Sequence, residues 1–229
     1  MFTRLLSPLI NLFYPHCCEI CGQELPSAND LLCLHCLDSL PATGFHHYAE
    51  NPVAHIFRGR MPVRYATAAY YYSQASGLQR LIHQFKYHQR QDIASWLGKQ
   101  AGYMLRSGEW AAAVDCLVPV PLFPRKEKER GYNQAALLAT AIGAVMCKPV
   151  LPQALQRIQH TGTQTRKSRI GRWENVKTVF KANPALLTGR HVLLIDDVVT
   201  TGATTEAAGQ ALLEAGASVS ICCLAWATG

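Results

Sequence analysis

The sequence has no long apolar run and few charged residues. No stretch reaches the roughly 18 consecutive apolar residues that a transmembrane helix needs, so we expect no membrane span. Charged residues make up only 16% of the chain and hydrophobic residues 49%, which excludes a disordered protein and leaves enough apolar side chains for a core. Glycine (16) and proline (12) occur in ordinary numbers, which excludes a collagen-like chain or a linker.

Acidic residues are the scarcer charges. The chain has 22 Lys and Arg against 15 Asp and Glu, a net charge of +7, which favours an anionic partner: a phosphate ester, a nucleic acid or a membrane surface.

Pro8 and Pro15 interrupt the apolar N-terminal stretch, which has no small-x-small cleavage site. We therefore expect no signal peptide and a cytoplasmic protein with reduced thiols.

Five of the nine cysteines lie within the first 36 residues, and an odd, uneven set does not suit a secreted disulfide framework. Four of them form two Cys-x2-Cys pairs: Cys18, Cys21, Cys33 and Cys36. Two such pairs match the ligands of a tetrahedral Zn²⁺ site, and four thiolates leave no open position, so the zinc would be structural. The spacing leaves open whether Cys17 replaces Cys18, and whether His16 or His35 is a ligand.

After residue 60 the chain alternates between strand and helix patterns. The apolar run HVLLIDDV, residues 191–198, predicts a strand buried on both faces of a parallel sheet. Further strands are predicted over RYATAAYYY, VDCLVPVPL, VKTVF and SVSICCLAWA, and helices over residues 77–105, NQAALLATAIGAVM and TTEAAGQALLEAGA. This alternation predicts an α/β fold with a parallel sheet.

The strand at residues 191–198 ends in two acids and a hydroxyl-rich turn: Asp196, Asp197, Thr200, Thr201, Gly202, Ala203 and Thr204. Unpaired N–H groups at the start of a helix bind phosphate, glycine lets the backbone approach an anion, and threonine hydroxyls add donors. Open α/β sheets bind ligands at the carboxyl ends of their strands. Carboxylates at this place suit ribose hydroxyls or a Mg²⁺-bound pyrophosphate. A simple helix cap needs only one such residue.

Two basic segments supply positive charge. Residues 118–134 place Arg125, Lys126 and Arg130 in a predicted loop before a helix. Residues 157–180 contain further bases, among them Arg166, Lys167 and Arg169. Long loops in compact domains are typically functional, and bases there could stabilise a departing pyrophosphate. The first segment also fits a solvated charge run, and the second also fits a nucleic-acid surface.

Residues 192–204 resemble the phosphoribosyl diphosphate (PRPP) motif of type I phosphoribosyltransferases: four apolar residues, two acids, two variable positions and Thr-Thr-Gly-Ala-Thr. The resemblance implies that Asp196 and Asp197 hold the ribose 2′- and 3′-hydroxyls and that residues 200–204 cradle the 5′-phosphate, with Mg²⁺ assisting. It also implies that the first basic segment receives pyrophosphate and that the second covers it as a mobile lid. Purine-salvage enzymes have an aspartate where this chain has Thr200, so purine salvage is not supported.

The whole chain resembles the ComF family. The shared pattern comprises the double Cys-x2-Cys, the segment GLQRLIHQFKYHQRQDIASWLG, the RGYNQ sequence, the PRPP motif, and a set formed by Thr161, Gln164, Thr165, Arg172, Asn175, Val176 and Phe180. The resemblance implies a type I phosphoribosyltransferase-like parallel sheet flanked by helices. It also implies a four-cysteine zinc-ribbon module at residues 1–60, a hood-like segment at 61–110 and a PRPP-binding core at 111–229.

Three functional hypotheses follow. Members of the ComF family are associated with DNA uptake in competence or with the use of external DNA as a nutrient. The first hypothesis is PRPP-dependent glycosyl transfer to an unknown acceptor. The second is an accessory protein that binds single-stranded DNA or DNA-uptake proteins and whose PRPP pocket is regulatory or inactive. The third is a scaffold whose zinc module mediates assembly.

Overall fold

The structure is a computed structural model that describes residues 16–27, 30–158 and 179–227. The strands are β1 (Ala66–Tyr72), β2 (Cys116–Pro119), β3 (Leu155–Arg157), β4 (Phe180–Ala182), β5 (His191–Val199) and β6 (Ser218–Ala227). The α-helices are α1 (Leu34–Asp38), α2 (Pro52–Phe57), α3 (Gly77–Tyr87), α4 (Gln91–Arg106), α5 (Pro124–Arg130), α6 (Gln134–Met146), α7 (Pro184–Leu187) and α8 (Ala203–Glu214). Short 3-10 helices cover Phe45–His47, Glu109–Ala113 and Pro152–Ala154.

Four parallel strands form the main sheet in the order β1-β6-β5-β2. The predicted parallel α/β sheet is therefore confirmed. Strands β3 and β4 form a separate antiparallel pair, in which Arg157 is opposite Phe180. This pairing places the described residues on either side of positions 159–178 next to each other.

Strand β5 is buried on both faces, as its continuous apolar run predicts. Leu193 and Ile195 pack with α3, α4 and α6, whereas Val192 and Leu194 pack with α2 and α8. Successive side chains of a strand point to opposite faces, so β5 joins two apolar layers. The sheet is consequently covered by helices on both sides.

The helical pattern at residues 77–105 forms two helices instead of one. The break falls at 88–90, where Gln89 has a φ of 56°. Helix α4 then packs closely against α6, because a Cβ added to Gly98 would lie 2.7 Å from the Cβ of Ala141. Small residues at this crossing allow the two helices to approach each other.

The basic segment before α6 is a helix, so the prediction of a loop around Arg125, Lys126 and Arg130 is wrong. Pro124 occupies the first turn of α5, where its fixed φ suits a helix and its missing N–H costs nothing. Arg130 lies in the last turn, near the negative end of the helix dipole, and Gly131 ends the helix with a φ of 79°. The local sequence thus carries a complete helix signal.

Two other predictions are tested only in part. Strand β4 begins at Phe180, the last residue of the predicted strand at 176–180, while residues 176–178 lie outside the described part of the chain. Residues before the predicted boundary at 60 pack on the sheet: Tyr71 N–H donates to the Pro41 carbonyl over 2.8 Å, and the Asn51 side chain donates to Ala66 O over 2.9 Å. The domain boundaries stay a prediction. No helix among the described residues has the length and apolar character needed to cross a bilayer.

Candidate functional site

A cavity of about 280 Å³ opens at the carboxyl edge of the sheet. The end of β5 and the start of α8 form one wall, and the residues after β2 form another. Its polar lining includes Lys86, Arg130, Asn133, Gln134, Arg157, Asp196, Asp197, Thr200, Thr201, Thr204 and Thr205. The structure therefore brings the predicted acid pair, the hydroxyl-rich turn and one predicted base, Arg130, into a single cavity.

The two acids have different partners. Asp196 accepts hydrogen bonds from the Asp197 amide at 2.8 Å and from Thr205 Oγ1 at 3.0 Å. Asp197 accepts from the Val198 amide at 2.6 Å and forms an ion pair with Lys86 Nζ, also at 2.6 Å. Burial, reinforced by the charge of Asp197, raises the pKa of Asp196 to about 7, although its donors and Lys86 oppose the shift. One carboxylate is thus neutralised by a cation and the other is easily protonated.

The turn after β5 leaves the start of α8 available to a ligand. No side chain caps the helix, whose N-cap is Gly202. Among the described residues, no carbonyl accepts from the amides of Ala203 or Thr204. Thr200 and Thr201 are exposed and line the cavity. The N-terminus of this 12-residue helix therefore offers unpaired N–H groups and hydroxyls, which suit an anion.

Gly202 is required here for a reason that the sequence did not indicate. It has a φ of 74°, and an added Cβ would lie 2.6 Å from Cγ2 of Ile56 in α2. Arg60 fixes the same turn from behind, since its Nη1 donates to the Thr201 carbonyl at 2.8 Å and its Nη2 pairs with Glu206. Contacts from the segment around α2 therefore set the shape of the turn.

The wall opposite the turn carries donors from α5, α6 and β3. Arg130 Nη1 donates to Gln134 Oε1 at 3.0 Å, and the Arg130 guanidinium lies 5.5 Å from the centre of the Tyr87 ring. Asn133 caps α6 by accepting from the Ala135 amide at 3.0 Å. Arg157 enters the cavity from β3.

Several predicted bases cannot be placed at the cavity. Arg125 and Lys126 belong to α5, but their side chains are not described. Arg166, Lys167 and Arg169 lie outside the described residues.

Sequence reasoning missed Lys86 and Arg60. Lys86 had a local signal: it lies four residues after Ile82 and follows Phe85, so a cation continues the apolar face of an amphipathic helix. Arg157 and Gln134 belong to the segments 157–180 and 118–134, which the sequence analysis singles out for their charge, but the pattern does not distinguish them from their neighbours. Arg60 contacts Thr201, far along the chain, and no local pattern could indicate that contact.

A second candidate site lies near the N-terminus. The sulfur atoms of Cys18, Cys21, Cys33 and Cys36 lie within 4.8 Å of one another, and those of Cys21 and Cys33 are 3.7 Å apart. Neighbouring sulfurs in a tetrahedral site with Zn–S bonds of about 2.3 Å are about 3.8 Å apart, so the cluster could hold a zinc ion. Neither Cys17 nor a histidine belongs to the cluster. His16 Nε2 instead lies 2.8 Å from the Asp30 carbonyl oxygen.

The backbone around the four thiols suits an anionic sulfur. Burial acts to raise the pKa of Cys18, but the amides of Cys21, Cys33 and Ile20 point at its sulfur and lower the pKa to about 6. Burial and the neighbouring thiols raise the pKa of Cys36 to about 12. The backbone thus stabilises the Cys18 thiolate, whereas four thiolates close together need a bound cation to balance their charge.

The cysteine cluster contacts α3, the helix that carries Lys86. The Ile20 carbonyl accepts from Arg80 Nη1 at 2.7 Å, and the Ile20 side chain packs against Gly77 at the start of the helix. Just after the helix, Arg90 pairs with Glu19 at 2.7 Å. Glu19 and Ile20 lie between two of the clustered cysteines, so the cluster contacts α3 at its first turns and just beyond its end.

Comparison with known proteins agrees with this architecture. The family model of the phosphoribosyl transferase domain matches residues 125–229. Together with the helix-flanked parallel sheet, this match defines a phosphoribosyltransferase-like domain. The DNA utilization protein YhgH of Escherichia coli K12 is 32% identical over 212 residues, which cover 90% of this chain and 88% of that protein. Competence protein ComFC of Bacillus subtilis is 34% identical over 105 residues, 46% of this chain and 41% of that protein.

The chain belongs to the ComF family, with an N-terminal four-cysteine cluster that fits a zinc ribbon. Competence protein F of Haemophilus influenzae is a further relative, 35% identical over 44% of this chain and 45% of its own. Among solved structures, glutamine PRPP amidotransferase from B. subtilis, complexed with ADP and GMP, has a TM-score of 0.45 at 22% identity. That comparison covers 62% of this chain and 30% of the amidotransferase.

Proposed function

We propose that the cavity binds PRPP or a related phosphorylated ribose and that the chain transfers the phosphoribosyl group to an acceptor, releasing pyrophosphate. The observation that carries the proposal is the meeting, in one cavity, of an acid pair and an uncapped helix N-terminus rich in hydroxyls. A phosphorylated sugar has the matching groups, namely hydroxyl donors at one end and an anion at the other. Neither feature alone would identify such a ligand.

The turn and the acids would bind different parts of the ligand. The α8 amides and the hydroxyls of residues 200–204 would donate to the 5′-phosphate. Asp196 and Asp197 would accept from the 2′- and 3′-hydroxyls of the ribose. Their carboxylate oxygens also fit Mg²⁺, which would supply positive charge at the diphosphate when bound. Lys86 would remain beside Asp197 and balance the charge of that carboxylate.

The transfer breaks the bond between C1′ and a diphosphate oxygen, and its electron pair leaves with pyrophosphate. A lone pair of the acceptor forms the new bond at C1′. Charge grows on the leaving oxygens and on the ribose ring, so Arg130 and the other cations of the cavity would stabilise the departing group. Holding sugar and acceptor in line would supply much of the remaining acceleration.

We also propose that this chemistry serves the use of external DNA, because the relatives are named for DNA utilization and competence. The four-cysteine cluster would hold a structural Zn²⁺. The division at residue 60, the hood-like segment and the roles of the bases at 125, 126, 166, 167 and 169 belong to the same proposal.

Calorimetry with PRPP and Mg²⁺ tests the function. Wild-type protein is expected to release heat on binding, and the double variant Asp196→Ala, Asp197→Ala is expected to release none. Absence of binding by folded wild-type protein at millimolar PRPP would refute the proposal. Fewer than about half a zinc per chain in purified protein would refute the structural-metal assignment.

The rival function, direct binding of single-stranded DNA, has the net charge of +7 in its favour. Such binding would weaken steeply with salt and would persist in the double Asp variant. Pyrophosphate release that depends on PRPP and disappears in that variant supports glycosyl transfer instead.

A further inference from the structure

A separate cavity of about 410 Å³ lies between α4 and the segment that carries the cysteine cluster. Its apolar lining comprises the buried side chains of Leu25, Leu31 and Leu32 together with Trp96, which α4 contributes. We call this cavity the α1 groove, because Leu34 of α1 lies at its edge. None of its lining residues lines the cavity at the carboxyl edge of the sheet. Its volume falls within the range of protein binding sites, roughly 300–1,000 Å³.

The apolar surface of the α1 groove continues onto the outer face of α1. Leu34 and Leu37 are three residues apart, so they lie on the same side of this helix. They are 85% and 38% exposed, and no other large apolar side chain of the described residues is as exposed as Leu34. A single exposed leucine is ordinary, but two beside an apolar cavity form a contiguous patch. Because the patch extends past the cavity, it suits a protein segment better than a small molecule.

The charge around the α1 groove is of one sign. Residues 5–57 contain five acids and no Lys or Arg, although the whole chain has a net charge of +7. Glu24 and Asp30 are exposed and line the groove, and Asp38 is exposed at the end of α1. In the part of the chain that the structure describes, none of these three carboxylates forms an ion pair. No Lys or Arg lines the groove, so an apolar surface adjoins carboxylates that have no cation beside them.

This combination distinguishes between classes of partner. Nucleic acids and anionic lipid surfaces are bound through Lys and Arg, and Glu24 and Asp30 would repel their phosphates. A protein segment that carries apolar side chains flanked by Lys or Arg matches both features, because interfaces combine an apolar centre with complementary charges around it. We propose that the α1 groove binds a basic, apolar segment of a partner protein. This interaction surface is independent of the proposed function, since the two cavities share no residue.

Two synthetic amphipathic peptides test the assignment, one composed of leucine and lysine and the other of leucine and glutamate. Fluorescence anisotropy of the labelled peptides measures their affinity for the full, metal-loaded chain. The lysine peptide is expected to bind, and to bind more weakly as the salt concentration rises. The glutamate peptide has the same apolar side chains with the opposite charge, and it is expected not to bind.

Two substitutions with matched controls locate the binding. Leu34→Ser removes the most exposed apolar side chain and should weaken binding of the lysine peptide about tenfold or more. Glu24→Lys reverses a charge of the groove and should weaken this binding about threefold or more while reducing its dependence on salt. The controls are Tyr48→Ser and Glu50→Lys, which change an exposed aromatic and an exposed acid outside the groove. They should leave the affinity within about twofold.

Several outcomes would overturn the inference. They include absence of lysine-peptide binding by wild-type protein, equal affinity for both peptides, and the same affinity in Leu34→Ser, Glu24→Lys and the controls. Single-stranded DNA that binds wild-type protein but not Leu34→Ser would show instead that the groove binds nucleic acid. A dimer in sedimentation that Leu34→Ser dissociates would assign the groove to a second copy of the chain. Melting temperatures and metal content establish that each variant is folded, and none of these outcomes bears on PRPP binding.

Discussion

Replacing Asp196 by asparagine should stabilise the protein while removing ligand binding. Asp196 is ionised at neutral pH only at a cost, because it is buried beside Asp197 and its pKa is raised to about 7. Asparagine resembles the protonated acid: its oxygen can accept from the Asp197 amide, and its NH₂ can donate to the Thr205 hydroxyl, which rotates to accept. The substitution therefore keeps both hydrogen bonds and removes the charge.

The size of the effect depends on pH. The unfolded carboxyl ionises near 3.8 and the folded one near 7, so the wild-type protein loses stability as the pH rises through this window. Above pH 7 this difference between the two pKa values lowers the stability of the wild-type protein by about 4 kcal/mol, and about half of that loss is already present near pH 5.5. The stability advantage of Asp196→Asn over wild type should therefore grow by about 2 kcal/mol between about pH 5.5 and pH 8.

Urea denaturation of metal-loaded protein at the two pH values measures this change. Asp92→Asn is the control of opposite sign. A hydrogen bond from Arg90 lowers the pKa of Asp92, so the charge of Asp92 adds stability that is lost only as the pH falls below its unfolded pKa. Asp92→Asn should therefore lower the stability by the same amount at about pH 5.5 and pH 8. Asp196→Asn with an unchanged or smaller advantage at pH 8 would refute the view that burial strains this carboxylate.

Three further perturbations test the surroundings of the cavity. Arg60→Ala should weaken ribose 5-phosphate binding about tenfold, as measured by calorimetry, because the Thr201 carbonyl loses its partner. The control Arg58→Ala breaks an exposed ion pair with Glu50 and should not change this affinity. Gly202→Ala should lower the free energy of unfolding in urea by about 1–3 kcal/mol, because residue 202 has a φ of 74° and the added Cβ would meet Ile56. In the control Gly189→Ala the φ is 75° but the added Cβ meets open space, so only the cost of the positive φ remains, about 1 kcal/mol. Removing the metal with a chelator should lower the melting temperature and speed amide hydrogen exchange in α3. An unchanged exchange rate in α3 would show that the contacts through Ile20 and Glu19 do not stabilise this helix.

Much of the fold was predictable because the signals were local. Strand β6 matches its predicted bounds, 218–227, and β5 extends its predicted bounds by one residue. Their apolar runs specify buried parallel strands without reference to the rest of the chain. The break between α3 and α4 was not predictable. It depends on a positive φ at Gln89, and neither Gln89 nor its neighbours are residues that usually mark such a turn.

The candidate site likewise contains residues with a local sequence signal and residues without one. The acids and threonines at residues 196–204 are contiguous, so their pattern could be read directly from the sequence. The positions of Lys86 and Arg157 in the cavity depend on which helix or strand end meets the carboxyl edge of the sheet, and only tertiary structure decides that. The basic segment at 124–130 was interpreted by its charge, although its proline and glycine already specified a helix.

The contacts between α3 and the cysteine cluster constrain how this architecture can change in evolution. The same helix carries Lys86 to Asp197, and Ile20 and Glu19, in the loop between two cysteines, contact the helix and the residues just after it. A descendant that lost the four thiols would have to anchor α3 by other means, such as a larger apolar side chain at position 20 or a new ion pair to Arg80. Loss of the cysteines and changes in these contacts should therefore occur together among homologous chains.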